Sequence, residues 1–330
     1  MNTDISTAVE VTNLTKRYDE VLAVDDISFS ISRGELFGFL GPNGAGKTST
    51  INMLTGLARP DAGTVTIGGI DCTGSPKAAQ HLTGIVADES NLYPELTGFD
   101  NLCFCAALYG IGKKERQRRA RELLDLFGLS DASGRKFSGY SKGMKRKLTF
   151  ASGIIHEPPI LFLDEPTTGI DVASARQVRQ IIAELHRKGT TILLTTHYIE
   201  EAERLCERIA FIVKGRIVKT DRTADLLQPV KGKHVLLLSI SDNGENVDGE
   251  MASRFPQYQF LSPSPDQLRV ESTEPVDIGP MVRFLEERKV QVTEARRHIP
   301  SLEDVFVRVT GIESELMWKE KEKAGGGGNQ

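Results

Sequence analysis

Cysteine is scarce in this sequence, and its spacing indicates neither a disulfide framework nor a zinc site. Cys72 and Cys206 stand alone, and one residue separates Cys103 from Cys105. A disulfide scaffold needs paired cysteines, and a structural zinc site usually shows CxxC pairs. We therefore expect buried or incidental thiols, with a metal site at Cys103-x-Cys105 as the weaker alternative.

Long apolar runs are also absent. A membrane-spanning helix needs about 18–20 consecutive apolar residues, and the longest apolar stretches here, such as residues 235–240, fall far short of that length. The first residues, Met1-Asn2-Thr3-Asp4, lack the basic and apolar regions of a signal peptide. We expect the chain to stay in the cytoplasm.

Neither sign of charge dominates. Lysine and arginine number 41 and acidic residues 45, for a net charge of −4. This balance gives no general affinity for polyanions, so nucleic acid is not an expected partner. Hydrophobic residues at 39% and charged residues at 26% fit a globular protein, and 330 residues are enough for two domains.

The first domain is predicted to cover residues 1–228 with an α/β fold. Apolar runs alternate with helical patterns, which indicates a mostly parallel sheet covered by helices. Candidate strands at 36–40, 160–163 and 191–195 each end at a loop rich in glycine or acids. Such loops form binding sites at the carboxyl edge of a sheet.

A helix-rich stretch within this domain has a basic face. The pattern favours a solvated helix surface, with a docking surface as the alternative. The basic residues are Lys113, Lys114, Arg116, Arg118, Arg119 and Arg121.

A small α+β domain is predicted for residues 229–312. Short strands at 234–240 and 267–272 precede an amphipathic helix at 280–288. Ser301 and Asp304 match a weak capping box that opens a final helix. The glycine-rich end, residues 313–330, is expected to be flexible.

A phosphate-binding loop follows the strand at 36–40. The sequence fits GxxxxGK[ST] between a strand and a helix, which is the context that the motif requires. Its glycines bring backbone amides close to phosphate, Lys47 would reach the β- and γ-phosphates, and the Thr48 hydroxyl would bind Mg²⁺. The predicted nucleotide-binding residues here are Gly41, Pro42, Asn43, Gly44, Ala45, Gly46, Lys47, Thr48 and Ser49.

Two carboxylates end the strand at 160–163. Asp164 suits the Mg²⁺ shell, and Glu165 could polarise the water that attacks a nucleotide. His197 follows the strand at 191–196 and could contact a γ-phosphate oxygen. Asp171 is predicted to cap a helix over 172–188, a role that leaves nucleotide contact open as well.

A second helix start, Tyr140-Ser141-Lys142-Gly143-Met144, combines a hydroxyl, a glycine and free helix amides. These features predict a further anion site. Because the chain has a single phosphate loop, two copies facing head to tail could complete each other's nucleotide sites.

This set of motifs resembles the ATP-binding cassette (ABC) family of transporter ATPases. The matches are Walker A at 41–48, Walker B at 160–165, the signature at 140–144, the D-loop at 168–171 and the switch histidine at His197. The resemblance implies a P-loop NTPase core with a helical subdomain at about 97–156 that docks a membrane subunit. It also implies that Tyr18 stacks on adenine and that Ser141 and Gly143 bind the γ-phosphate of the opposite subunit.

The second domain, with Pro300-Ser301-Leu302-Glu303-Asp304-Val305-Phe306 near its end, is similar to the accessory domain of daunorubicin-resistance-type exporter ATPases. Two positions depart from the family pattern. Asp88 stands where a glutamine usually senses the γ-phosphate and Mg²⁺, and an acid there favours the metal while repelling the nucleotide. Lys142 occupies a usual glycine position of the signature.

The sequence thus predicts an ATP- and Mg²⁺-dependent ATPase subunit of an exporter. The expected partners are an integral membrane permease and either a second copy of the chain or a paralogous cassette, on the cytoplasmic face of the cell membrane. One alternative is a soluble cassette ATPase of translation or DNA repair. The other is a regulatory module that binds nucleotide without hydrolysis.

Overall fold

The computed structural model describes residues 7–228, 230, 232–241 and 247–312. One compact unit contains the described chain up to Thr223, and a second covers Ala224–Arg308. In these ranges no helix has both the length and the apolar character needed to cross a lipid bilayer. The limits 1–228 and 229–312 stay predictions, and the predicted tail at 313–330 lies outside the described residues.

Both units contain strands. They are β1 (Thr7–Tyr18), β2 (Val21–Ser32), β3 (Leu36–Leu40), β4 (Ala62–Ile67), β5 (Ile70–Asp71), β6 (Thr83–Val86), β7 (Ile160–Asp164), β8 (Thr191–Thr196), β9 (Arg208–Val213), β10 (Arg216–Arg222), β11 (His234–Ile240), β12 (Gln259–Ser264), β13 (Gln267–Ser272) and β14 (Val292–His298).

The helices lie between these strands or follow them. They are α1 (Lys47–Leu54), α2 (Pro76–Ala79), α3 (Gly98–Leu108), α4 (Lys113–Leu126), α5 (Lys142–Ile154), α6 (Val172–Arg187), α7 (Ile199–Leu205), α8 (Thr223–Leu227), α9 (Val247–Arg254), α10 (Ile278–Glu287) and α11 (Leu302–Thr310).

A six-stranded sheet forms the centre of the first unit, in the order β10-β9-β3-β8-β7-β6. Only β10 runs antiparallel to its neighbour, so the predicted mixed, mostly parallel sheet is confirmed. Every residue of β3, β7 and β8 is buried, as expected for strands covered on both faces. Leu40 pairs with Thr196, and Asp164 with Thr195, so the loops after these strands meet at one edge.

Strands β1, β2, β4 and β5, all within residues 7–71, add a feature that the sequence did not predict. They form an antiparallel sheet in the order β2-β1-β4-β5 instead of βαβ units. Buried and exposed residues alternate along the second half of β2, as in a sheet with one covered face. Phe29 of this sheet packs on Phe37 and Phe39 of the central sheet, with ring centroids 5.7 and 5.3 Å apart.

The second unit is built on an antiparallel sheet in the order β12-β13-β11-β14. Its strands β11 and β13 have the predicted bounds, and α10 begins two residues before the predicted helix at 280. Strands β12 and β14 and helix α9 were not predicted. The middle five residues of β14 are exposed, so this edge strand lacks the apolar alternation that marks a half-buried strand.

We expect Leu238→Ala, in the middle of β11, to lower the free energy of unfolding by about 2–5 kcal/mol, because its side chain is fully buried in the core of the second unit. Leu261→Ala is the matched control, since Leu261 is 52% exposed, and it should cost about 0.5 kcal/mol or less. Urea titrations followed by circular dichroism measure both. Equal losses would contradict this description of the core.

Candidate active site

The phosphate loop connects β3 to α1 through tightly packed glycines. A methyl group on Gly41 would lie 2.1 Å from the carbonyl oxygen of Ile212, and one on Gly46 would lie 2.4 Å from that of Ala23. Gly46 also has a φ of 103°, in the region that favours glycine. These two glycines let the loop lie directly against β9 and β2.

Lys47 is folded back onto its own loop. Its Nζ donates hydrogen bonds to the carbonyl oxygens of Gly41, at 2.8 Å, and Pro42, at 3.0 Å. The same nitrogen lies 3.3 Å from Oε1 of Glu165. The ammonium is almost completely buried, so it forms a concentrated positive charge between the loop and the end of β7.

Asp164 is held by two hydroxyl groups. Thr48 Oγ1 donates to Oδ2 at 2.8 Å, and Thr195 Oγ1 donates to Oδ1 at 2.5 Å. Burial raises the pKa of Asp164, while these two hydrogen bonds act in the opposite direction. Mg²⁺ prefers oxygen ligands and takes one or two from protein beside substrate phosphates. The adjacent oxygens of Thr48 and Asp164 fit such an ion.

Glu165 is the most constrained carboxylate of the site. Its backbone has a φ of 47°, its Oε2 lies 2.7 Å from Nδ1 of His197, and Thr168 Oγ1 donates to the same oxygen at 2.8 Å. Burial raises the pKa of Glu165. The His197 hydrogen bond and the charges of Lys47 and His197 outweigh burial and lower the pKa to about 2.

The signature lies against the D-loop of the same chain. Ser141 caps α5 by accepting from the backbone N–H of Met144 at 3.3 Å. Asp171 caps α6 by accepting from Ser174 N–H at 2.9 Å, which confirms its predicted capping role. A methyl group on Gly143 would lie 3.2 Å from Oδ2 of Asp171.

Two predicted site residues have exposed side chains. Tyr18 ends β1 with 43% of its surface exposed, and the Lys16 ammonium lies 5.2 Å from its ring centroid. The Asp88 side chain is exposed after β6. Their predicted roles, with adenine and with metal, depend on ligands and remain predictions.

Arg146 is the important residue that the sequence analysis missed. It is 6% exposed on α5, and its guanidinium donates to backbone carbonyl oxygens that surround the site. The acceptors are Ala87, Asp88 at 2.9 Å, Asp164 at 2.7 Å, Glu165 at 2.8 Å and Pro166 at 2.9 Å.

The signal for Arg146 lies in helical spacing. Arg146 precedes the buried Phe150 by four residues and Gly153 by seven, so it belongs to the buried face of α5. Its neighbours Lys145 and Lys147 are more exposed. Within a basic run, the phase of the helix thus distinguishes the buried cation from the others.

Comparison with known proteins decides the family. Residues 24–168 match the ABC transporter family. The chain is 36% identical over 313 residues to the daunorubicin/doxorubicin resistance ATP-binding protein of Streptomyces peucetius, covering 94% of each. The chain belongs to the ABC transporter family. Hydrolysis of ATP is therefore the expected chemistry of this ABC protein.

The names of further relatives of the ABC chain concern different compounds. It is 38% identical to the linearmycin resistance ATP-binding protein of Bacillus subtilis, over 72% of this chain and 76% of the relative. It is 34% identical to the Nod factor export ATP-binding protein I of Rhizobium etli, over 94% and 95% of the two chains.

Solved structures of ABC cassettes share the fold of the first unit. An ATP-binding subunit of an ABC transporter has a TM-score of 0.63 and 31% identity, covering 68% of this chain and 93% of that chain. A dimeric ATP-binding cassette bound to ADP and Pi has a TM-score of 0.61 and 26% identity, covering 65% and 98%.

We expect Arg146→Met to lower the free energy of unfolding by at least about 3 kcal/mol, because several buried carbonyl oxygens lose their donor together. Lys147→Met, at the next and more exposed position of α5, should change it by about 0.5 kcal/mol or less. Thermal and urea unfolding measure both variants. A similar loss in both would mean that Arg146 stabilises only the helix.

Because the pKa of Glu165 is lower in the folded protein, its contribution to the free energy of unfolding depends on pH. The ordinary value is 4.5 and the folded value about 2, so the stabilisation is present above pH 4.5 and is lost as pH falls towards 2. Between pH 6 and pH 3 the wild type should lose about 2 kcal/mol more than Glu165→Gln. Unfolding titrations of both proteins test this, and parallel losses would refute it.

Proposed function

We propose that this chain is the ATP-hydrolysing subunit of an exporter and drives a separate membrane-spanning subunit from the cytoplasmic face of the cell membrane. The observation that carries the proposal is the buried arrangement of Lys47, Glu165 and His197 beside the Thr48–Asp164 pair. The names of its relatives, which concern drug resistance and Nod factor export, support export over other ABC functions.

The resting contacts of Glu165 suggest how ATP switches on its own hydrolysis. A carboxylate with a pKa of about 2 is a weak base. When a nucleotide binds, the Lys47 ammonium turns from Glu165 towards the phosphates, because three phosphate oxygens attract it more than one carboxylate. Glu165 then loses a main cause of its low pKa and gains the basicity to polarise the attacking water.

The remaining residues place charge and hydrogen bonds around the same point. Mg²⁺, when bound at Thr48 and Asp164, supplies positive charge for the phosphate oxygens. His197 contacts Glu165 and can donate its hydrogen bond to the γ-phosphate instead. Thr168 keeps Oε2 of Glu165 oriented throughout.

A head-to-tail dimer, of two copies or with a paralogous cassette, would complete the site. Ser141 and Gly143 lie at the start of α5, with no acidic residue in the first turn of that helix to oppose an anion. Helix amides there suit the γ-phosphate bound by the other subunit. Dimeric cassettes among the similar structures support this arrangement.

The membrane subunit has a better docking surface on α3 and the segment before it than on the basic face of α4. Arg118 of α4 bonds Glu115 and Glu122, and Arg119 bonds Glu115, so part of the basic face is neutralised within the helix. By contrast, Tyr93, Phe104 and Leu108 expose 52, 38 and 71% of their surfaces. Such an apolar group favours protein contact.

Two alternatives are weaker. A soluble cassette for translation or DNA repair finds no support among the relatives described above. A regulatory module without turnover would not need Glu165 to be held by both Lys47 and His197. Asp88 is still predicted to favour the metal and to repel the nucleotide.

Two variants test the proposed chemistry. Lys47→Ala should weaken ATP binding by about 10- to 100-fold, because the phosphates lose a charged donor. Glu165→Gln should bind ATP, hydrolyse it at least about 100-fold more slowly and accumulate as a dimer. Equilibrium binding, phosphate release and size-exclusion chromatography with ATP measure these effects. Normal turnover by Glu165→Gln would remove it as the base.

The partner is tested by purifying the tagged Glu165→Gln chain from detergent-solubilised membranes of its own host with ATP present. A stoichiometric integral membrane protein supports the exporter. Recovery of ribosomes or DNA-repair factors instead would overturn it.

A further inference from the structure

Lys142 occupies an electrostatically unfavourable position. It is the first residue of α5 and is exposed. The N-terminus of a helix carries partial positive charge, so a cation there destabilises the helix. No acidic residue in the first turn of α5 compensates for it. Stabilising its own helix therefore does not explain this lysine.

The side chain extends over the D-loop of the same chain. A methyl group built on Gly169 would lie 2.3 Å from Nζ of Lys142 and 2.8 Å from its Cε. Gly143, the next residue, lies against Asp171 in the same way. Residues 142 and 143 therefore lie against Gly169 and Asp171, in the second half of the loop between β7 and α6.

This loop is hydrogen-bonded to Glu165. Thr168, the residue before Gly169, donates from Oγ1 to Oε2 of Glu165 at 2.8 Å. Its backbone N–H also donates to the carbonyl oxygen of Glu165 at 3.1 Å. Because Gly169 directly follows Thr168, a shift of Gly169 also moves the Thr168 hydrogen bond that orients Glu165.

We propose that Lys142 is a positioning residue for hydrolysis: packed on Gly169, it fixes the D-loop so that Thr168 orients Glu165. The inference rests on the proposed function. In the head-to-tail dimer, residues 141–143 face the nucleotide of the other subunit, while Glu165 serves its own. Lys142 then connects the two nucleotide sites through one side chain, and it affects turnover without changing ATP affinity at Lys47.

A double-mutant cycle on Lys142→Ala and Gly169→Ala tests the contact. Gly169 has a φ of 72°, so its substitution strains the backbone in either background, and this strain cancels in the cycle. We expect each single variant to lower kcat by about threefold to tenfold, and the double variant to be no slower than Gly169→Ala alone. Strictly multiplicative losses would overturn the inference.

Controls separate positioning from structure. Lys142→Arg keeps the charge and should recover at least half of the wild-type kcat. Lys145→Gln changes another lysine of α5, whose ammonium lies 5.6 Å from the Phe137 ring centroid, and should leave kcat unchanged. In Lys142→Ala, the dissociation constant for a fluorescent ATP analogue should match wild type, and the melting temperature should be no lower than that of wild type. A lower melting temperature that tracks the lost activity would mean a structural role only.

The measurements also distinguish a failure of the proposed function from a failure of the role of Lys142. A wild-type chain that binds ATP without hydrolysing it, with its membrane partner present, contradicts the proposed function. A wild type that hydrolyses ATP, beside a Lys142→Ala variant with the same kcat, contradicts only the role of Lys142.

Discussion

The structure of the site depends on one buried guanidinium, that of Arg146. Arg146 forms no short-range pair with a carboxylate among its described bonds; its guanidinium instead donates to backbone carbonyl oxygens on two separate segments, after β6 and after β7. A planar guanidinium with several fixed donors can satisfy acceptors that diverge, whereas an ammonium offers three donors from one point. Arg146 thereby fixes the start of α5 relative to the Asp88 segment and the end of β7. The signature lies on the same helix as Arg146, which bonds the backbone of Glu165.

The two carboxylates at the end of β7 show how neighbouring groups acquire different chemistry. Both are buried, and burial raises the pKa of each. Asp164 receives neutral hydroxyl donors from Thr48 and Thr195, which leave room for a metal charge to become its partner. Glu165 receives the Lys47 and His197 side chains and so stays ionised at a pKa of about 2. Two acids one residue apart are therefore prepared for a metal and for a water by the type of donor that each one accepts.

Local sequence was enough to predict the elements that carry the site, and it failed where contacts are distant. The strand before Gly41 and the helix capped by Asp171 are set by apolar runs, a glycine and a capping carboxylate within a few residues of each other. The Lys47–Glu165 contact joins residues over a hundred positions apart, and only sheet order brings them together. Arg146 shows the same limit, since its partners are backbone atoms and leave no trace in residue type. The antiparallel sheet at the start was missed because β1 and β2 pack on another sheet, which a single strand pattern does not reveal.

The two positions predicted to depart from the family pattern lie at one place in the fold. Asp88 and Lys142 line the same cavity of about 350 Å³, between the segment after β6, the start of α5 and the D-loop. Arg146 fixes the Asp88 backbone through its carbonyl oxygen, so an acid in place of glutamine changes the charge of this wall while the chain path stays set. A lysine in place of glycine adds the opposite charge across the cavity. Asp88 and Lys142 thus bring opposite charges to one cavity, whose wall also carries Glu89, Lys145 and Arg146.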